Sequence, residues 1–242
     1  MPFENSTLSV AARAEMLNTV YKNHAAMPTL CNALNDPLVG RVALVSSFGA
    51  ESVVLLHMVA MLRPDTPVLF IDTQMLFAET LQYQVDLSAK LGLNNVQVVR
   101  ADAQQVAKRD PYGLLHRALP DACCDLRKSE PLERALSEFD TWITGRKRFQ
   151  AGSRAELQLF EAEDEKRLKI NPLARWRKED VMEYMINNAL PRHPLVAKGF
   201  PSIGCAPCTS AVSEYEDERS GRWRGAQKTE CGIHFGKVQN NG

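Results

Sequence analysis

Five of the six cysteines fall into three groups: adjacent Cys123-Cys124, the pair in Cys205-Ala206-Pro207-Cys208, and a single Cys231. Four thiolates are the usual complement of a [4Fe-4S] cluster or a structural zinc ion. The fifth, Cys231, lies in a polar, glycine-flanked stretch with Lys228 and His234 three residues away on either side. Nearby cations lower a thiol's pKa and favour the thiolate, so this position has the setting of a nucleophile. The bland reading of Cys231 is a surface thiol with no role. Cys31, between Leu30 and Ala33 on an apolar helix face, reads as a core thiol.

The grouped cysteines admit other chemistries. A C-x-x-C with an internal proline is also a redox dithiol, but that motif should open a helix directly after an early strand. Here it follows Phe200-Pro201-Ser202-Ile203-Gly204 late in the chain and leaves Cys123-Cys124 without a purpose. Structural zinc usually takes two C-x-x-C knuckles, and an adjacent pair is an awkward half of one tetrahedral site. A cluster offers several irons to which neighbouring thiolates can point. Zinc and inert buried thiols remain the competing readings.

A second chemical element precedes these. Ser46-Ser47-Phe48-Gly49-Ala50-Glu51 lies between an apolar run and an apolar helix, where small residues and a helix N-terminus suit a phosphate or sulfate. It is neither a Walker loop nor G-x-G-x-x-G, and a plain βα turn capped by serine is the alternative. Asp72-Thr73 could face the same crevice, or Asp72 could simply cap the next helix.

The elements that must position these residues alternate. Val42–Val45, Pro67–Ile71, Val96–Val99 and Thr141–Thr144 read as strands, and Glu51–Leu62 and Phe77–Leu91 as helices, the latter ending at Gly92. Cys123–Phe139 reads as helix with punctuation at Pro131. Such alternation predicts an α/β fold with a doubly wound, mostly parallel sheet that binds ligands at the strands' carboxyl ends. Leu8 to Leu34 reads as helical, punctuated by Pro28 and Pro37. Glu161–Lys166 reads as a charged loop, Arg167–Ile170 as an edge strand and Lys178–Asn188 as an amphipathic helix. The expected organisation is a helical segment over 1–36, a nucleotide-binding α/β domain over 37–190 and an irregular extension over 191–242 that carries the C-x-x-C pair and the Cys231 tail.

The 242 residues suffice for a full core, and 29 basic against 29 acidic residues make no case for nucleic acid or an anionic membrane. Any anion site must be local, and Arg146, Lys147, Arg148 and Arg154 form one basic cluster, Arg219, Arg222, Arg224 and Lys228 another. The first residues lack the basic and apolar regions of a signal peptide, and no apolar run could span a bilayer, so a cytoplasmic protein is expected. A homo-oligomer is allowed by the sequence but not specified by it.

Taken together, Ser-Ser-Phe-Gly-Ala-Glu, Cys-Cys-Asp-Leu-Arg-Lys-Ser-Glu-Pro-Leu, Trp-Ile-Thr-Gly-Arg-Lys-Arg, Ile-Asn-Pro-Leu-Ala-Arg-Trp, Gly-Cys-Ala-Pro-Cys-Thr and Glu-Cys-Gly-Ile-His resemble the assimilatory adenylylsulfate (APS) and phosphoadenylylsulfate (PAPS) reductases, from about Val42 to His234. The resemblance implies a sheet of the adenine-nucleotide alpha hydrolase (ATP-pyrophosphatase-like) type. It implies a [4Fe-4S] cluster on Cys123, Cys124, Cys205 and Cys208, and Cys231 as the nucleophile that forms a Cys-S-sulfonate, cleared by reduced thioredoxin to release sulfite. Substrate contacts are implied for Ser46, Ser47, Phe48, Gly49, Glu51, Lys128, Arg148, Arg219, Arg222 and His234. The iron–sulfur branch resembles the users of adenylylsulfate. Where many members carry an acid after Gly-Ala-Glu and Asp-Thr-Gly-Arg farther on, this chain has Ser52 and Asp72-Thr73-Gln74-Met75.

Overall fold

In the computed structural model, residues 8–224 are described. Two helices, α1 (Val10–Tyr21) and α2 (Ala26–Ala33), lead into β1 (Val42–Ser46), α3 (Ser52–Leu62), β2 (Val68–Ile71), α4 (Ala78–Leu91) and β3 (Val96–Val99). Short helices α5 (Ala103–Arg109), α6 (Leu115–Ala118) and α7 (Pro120–Cys124) follow. Then come α8 (Glu130–Leu136), β4 (Thr141–Ile143), β5 (Phe160–Glu163), β6 (Arg167–Ile170) and α9 (Lys178–Asn187).

The strands form one sheet in the order β3-β2-β1-β4-β6-β5, parallel throughout except for the antiparallel β5–β6 pair. The chain leaves β1 toward β2 and β3 on one side and later returns to fill β4 and β6 on the other. The strand order therefore reverses between β1 and β4, and a crevice opens there at the carboxyl ends. β1 is apolar on both faces because both are covered: Leu44 joins a cluster with Val53, Leu56 and Val59 of α3, while Ala43 joins Leu69, Leu132 and Trp142 under α8. The all-round apolar sequence of α3 has the same cause, since Val53 to Leu56, Met58 and Val59 are all buried. Gly92 closes α4 in the left-handed conformation at φ 66°, and the amide of Leu93 donates back to the Ser88 carbonyl at 3.0 Å.

Three expectations change. The N-terminal helical stretch is two helices, and Pro28 sits in the first turn of α2, where its missing N–H costs nothing. Leu17 and Leu30 are buried in the same cluster as Phe160 and Leu168. The supposed charged loop at Glu161–Lys166 begins as β5, so β6 is an interior strand with all four residues buried. Its charges misled because Arg167 and Lys169 are buried against Glu163, with Arg167 also on Glu133. The real edge, β5, is covered by α1. Asn18 both donates to the Phe160 carbonyl at 2.7 Å and accepts from the Phe160 amide at 3.0 Å, filling the place of a further strand.

Helices α7 and α8 are joined by a π-helical turn, Asp125–Ser129, in which the Glu130 amide reaches the Asp125 carbonyl. Pro131 explains it: a proline has no N–H for the carbonyl four residues back and its ring crowds that carbonyl, so the turn widens.

Candidate active site

A cavity of about 300 Å³ occupies the crevice at the carboxyl ends of β1, β2 and β4. Its floor is the loop after β1. Phe48 adopts a left-handed φ of 48°, and its ring is buried edge-on against Phe70 with centroids 5.2 Å apart. Of the loop residues expected to touch ligand, Ser46, Ser47, Gly49 and Glu51 line the cavity, whereas Phe48 has its side chain in the core and can offer only backbone. The loop's serines are already at work: Ser46 Oγ accepts from the Phe48 amide at 3.2 Å, and Ser52 Oγ accepts from the Gly49 amide at 2.9 Å.

Glu51 faces a cation rather than an anion. Its Oε2 accepts from Lys147 Nζ at 2.8 Å and from Gln150 Nε2 at 2.9 Å. Lys147 is 2% exposed, and burial pulls its pKa down against the opposing charge of Glu51. The pair bolts the β1 loop to the segment after β4. In that segment Arg146 is bound to Glu161, Thr144 and Asn171, and Arg154 donates to Gln150. Arg146, Lys147 and Arg154 line the cavity. Arg148, the residue expected from the sequence, lies off it and donates its Nε to the Leu157 carbonyl at 2.9 Å.

The cysteine groups, far apart in sequence, come within electrostatic reach of one another, and Cys205 lines this cavity. Cys123 and Cys124 end α7, while Cys205 caps and Cys208 ends a single 3₁₀ turn at 206–208. Cys205 is stitched to the exit of β2: residues 76 and 205 form an antiparallel bridge, the Ala206 amide donates to the Met75 carbonyl at 2.8 Å, and Thr73 Oγ1 lies 3.2 Å from Cys205 Sγ. Cys123, Cys124 and Cys205 are buried. The Cys123 thiol is pushed up to about 11 by burial, then by Cys124, with Arg127 opposing and Cys205 and Cys208 adding to the rise. Burial also raises Cys208, against the pull of Lys128 and Arg222. Among the described residues no three His, Cys, Asp or Glu side chains converge closely enough to hold a single metal ion.

Lys128, Arg219 and Arg222 all line the cavity. Residues 209 and 222 form an antiparallel bridge, and the Trp223 amide donates to the Cys208 carbonyl at 3.0 Å, so the segment bearing Arg222 is built onto the C-x-x-C turn. The Arg222 guanidinium stacks 4.4 Å above the Trp223 ring. Cys231 and His234 lie outside the described residues.

Sequence reading missed Arg127 and Asp110. They form a buried ion pair at 2.8 Å, and Arg127 Nη1 also donates to the Thr73 carbonyl at 3.1 Å. The one available signal was that Arg127 stands in helical sequence flanked by Leu126, which placed it near a buried face.

The sequence profile of the phosphoadenosine phosphosulfate reductase domain matches residues 41–211. The chain belongs to the phosphoadenosine phosphosulfate reductase family. Within this family it is 48% identical over 95% of its length to a protein named adenosine 5'-phosphosulfate reductase from Mesorhizobium japonicum, 90% of which is covered. It is 52% identical over 81% of its length to one of the same name from Chelativorans sp., with 80% of that protein covered. Among solved structures it resembles the phosphoadenylyl-sulfate (PAPS) reductase of Candida auris in a phosphate complex, with TM-score 0.70, 26% identity, and 82% and 96% of the two chains covered. The reductase family's sheet is the one described above, of the adenine-nucleotide alpha hydrolase type. No described helix is long and apolar enough to cross a membrane.

Proposed function

We propose that this protein is an adenylylsulfate reductase, which converts adenylylsulfate to sulfite and AMP with electrons from thioredoxin or a similar dithiol protein. The observation that carries this reading is that Cys205 lines the switch-point cavity together with Lys128, Arg219 and Arg222, with Cys123 and Cys208 within electrostatic reach of Cys205. An adenine nucleotide bound in that crevice would lay its anionic phosphosulfate toward those cations.

In this reading the Cys231 thiolate attacks the sulfur of the sulfate group, the S–O bond to the phosphate breaks, and AMP departs. The Cys231 S-sulfonate is then attacked at the Cys231 sulfur by one thiolate of thioredoxin, releasing sulfite. The second thioredoxin thiol resolves the mixed disulfide, returning Cys231 and leaving thioredoxin oxidised. His234 joins Lys128, Arg219 and Arg222 in balancing the substrate's charge. These steps suit a reducing, cytoplasmic compartment, where the five described cysteines remain free thiols.

Cys123, Cys124, Cys205 and Cys208 would hold a [4Fe-4S] cluster. What fits them to that role is the chemistry of the donor set: four free thiols that lie within electrostatic reach of one another. When bound, the cluster would supply a fixed electrostatic field and would require its ligands as thiolates.

Adenylylsulfate is favoured over its 3′-phosphorylated analogue because a further phosphate needs a further cation. The basic segment nearest to hand is committed elsewhere: Arg146 to Glu161, Lys147 to Glu51 and Arg148 to the Leu157 carbonyl. The test is kcat/KM for both nucleotides with thioredoxin, together with intact mass after incubation with adenylylsulfate alone. A preference for adenylylsulfate and a sulfonate adduct on Cys231, absent in Cys231→Ser, support the proposal. An adduct on Cys205 or Cys208 would replace it with dithiol chemistry.

A further inference from the structure

The four-cysteine site is assembled from two separate pieces of chain, the end of α7 and the 3₁₀ turn at 206–208, and among the described residues no backbone hydrogen bond joins one directly to the other. The connection runs through Arg127. Three residues after Cys124, its side chain is buried, and Nη2 and Nε donate to one carboxylate oxygen of Asp110 at 2.8 and 3.3 Å. Its Nη1 donates to the Thr73 carbonyl at 3.1 Å, and the Thr73 hydroxyl lies 3.2 Å from Cys205 Sγ. One guanidinium thus spans from the helix that bears Cys123 to the residue that touches Cys205.

We propose that the Arg127–Asp110 ion pair is a positioning device that sets the spacing between the two halves of the cysteine site and presents a permanent positive charge to it. The proposal rests on the four-cysteine reading given above.

Two features of the pair support a positional role over simple ballast. Asp110 is itself anchored, since its other oxygen accepts from the Leu115 amide at 2.9 Å, which fixes Arg127 from behind. Burial pushes the Asp110 carboxyl up, but the hydrogen bond and charge of Arg127 and the Leu115 amide outweigh it and hold the group ionised. Second, a guanidinium never loses its charge in a protein, and Arg127 stands three residues after Cys124 with its Nη1 on the carbonyl of Thr73, whose hydroxyl meets Cys205. Lysine could supply the charge at this place but not the fork that reaches Asp110 and Thr73 together. A ligand set containing several thiolates carries net negative charge, so a buried cation that cannot titrate suits its border.

The test compares wild type, Arg127→Lys and the double variant Asp110→Leu/Arg127→Met, each purified anaerobically. Removing both charges together avoids leaving one buried and unpaired, so the double variant keeps its fold by far-ultraviolet circular dichroism. Iron and acid-labile sulfide per chain, the visible spectrum, and the rate of iron release to a chelator are then measured. The expected result is iron release roughly 10–100-fold faster in the double variant with an altered visible spectrum. Arg127→Lys should fall between it and wild type. Wild-type release rate and spectrum in the folded double variant would overturn the positioning role and leave the cluster reading intact. Should the double variant not fold, Arg127→Lys decides on the same scale, and a wild-type rate there overturns the proposal. Wild-type protein free of iron and sulfide would sink both readings at once.

Discussion

The guanidinium of Arg222 lies directly on the backbone of Gly204, the residue before Cys205: a Cβ at position 204 would stand 2.3 Å from Nη2 and 2.5 Å from Cζ. Glycine is required there by close approach, not by backbone conformation. The obstructing atoms are the far end of a flexible side chain, so Gly204→Ala should displace Arg222 and spare the fold. If Arg222 pairs with substrate anion, Gly204→Ala should raise KM several-fold, in the same direction as Arg222→Ala, whose loss is about 1.5–3 kcal/mol of binding. The melting temperature should stay close to that of wild type. Unchanged KM in both variants would remove Arg222 from the binding site.

Glu51→Gln should behave as a stability variant before it behaves as a binding variant. It removes the charge that compensates Lys147, which is 2% exposed, and a buried ion left without its partner costs about 3–5 kcal/mol. Denaturant unfolding of Glu51→Gln and of Lys147→Met should show losses of this size, and the double variant Glu51→Gln/Lys147→Met should recover part of them. Losses that simply add would show the pair to be uncoupled.

His193 predicts an acid limit to stability. Its Nδ1 accepts from the Leu195 amide at 3.2 Å, which leaves Nε2–H to donate to Thr80 Oγ1 at 3.1 Å, and burial lowers its pKa to about 4. The folded state therefore holds a neutral ring that the unfolded chain protonates below its ordinary pKa of about 6.5. The stability from keeping it neutral is complete above that value and falls away as pH drops toward the folded pKa. The expected loss between pH 7 and pH 4 is on the order of 2–3 kcal/mol. His193→Gln should be less stable at pH 7 and show a shallower decline over that window. An equally steep decline in the variant would assign the acid sensitivity to other groups.

Asn18→Ala should lower stability without touching the chemistry. Both hydrogen bonds that Asn18 makes to Phe160 close the sheet edge, and neither residue lines the cavity. Their loss should cost about 1–2 kcal/mol in urea unfolding, with kcat and KM for the nucleotide unchanged. The freed edge should also increase the concentration dependence of aggregation on heating.

Much of this molecule was legible along the chain because its signals are local. Strand–helix alternation and short connections specify the parallel sheet, Gly92 marks its own left-handed cap, and the spacing of the cysteines singles out four thiols and one more without any knowledge of where they lie. Local signals failed where burial depended on partners distant in sequence. Arg167 and Lys169 read as surface charges on an edge strand because nothing nearby announces Glu133 or Glu163 as their counterions, and Asn18 gives no sign that it will serve as the last rung beside Phe160. Arg148 looked as good a ligand as Arg146 or Lys147, since three cations in a row are equivalent until the chain turns. Only the tertiary structure sends Lys147 to Glu51 and Arg148 to Leu157. The same holds for Arg127 and Asp110. A charge can be buried only where the fold brings its partner within a few ångströms, and that distance is a property of the packed chain, not of any stretch of it.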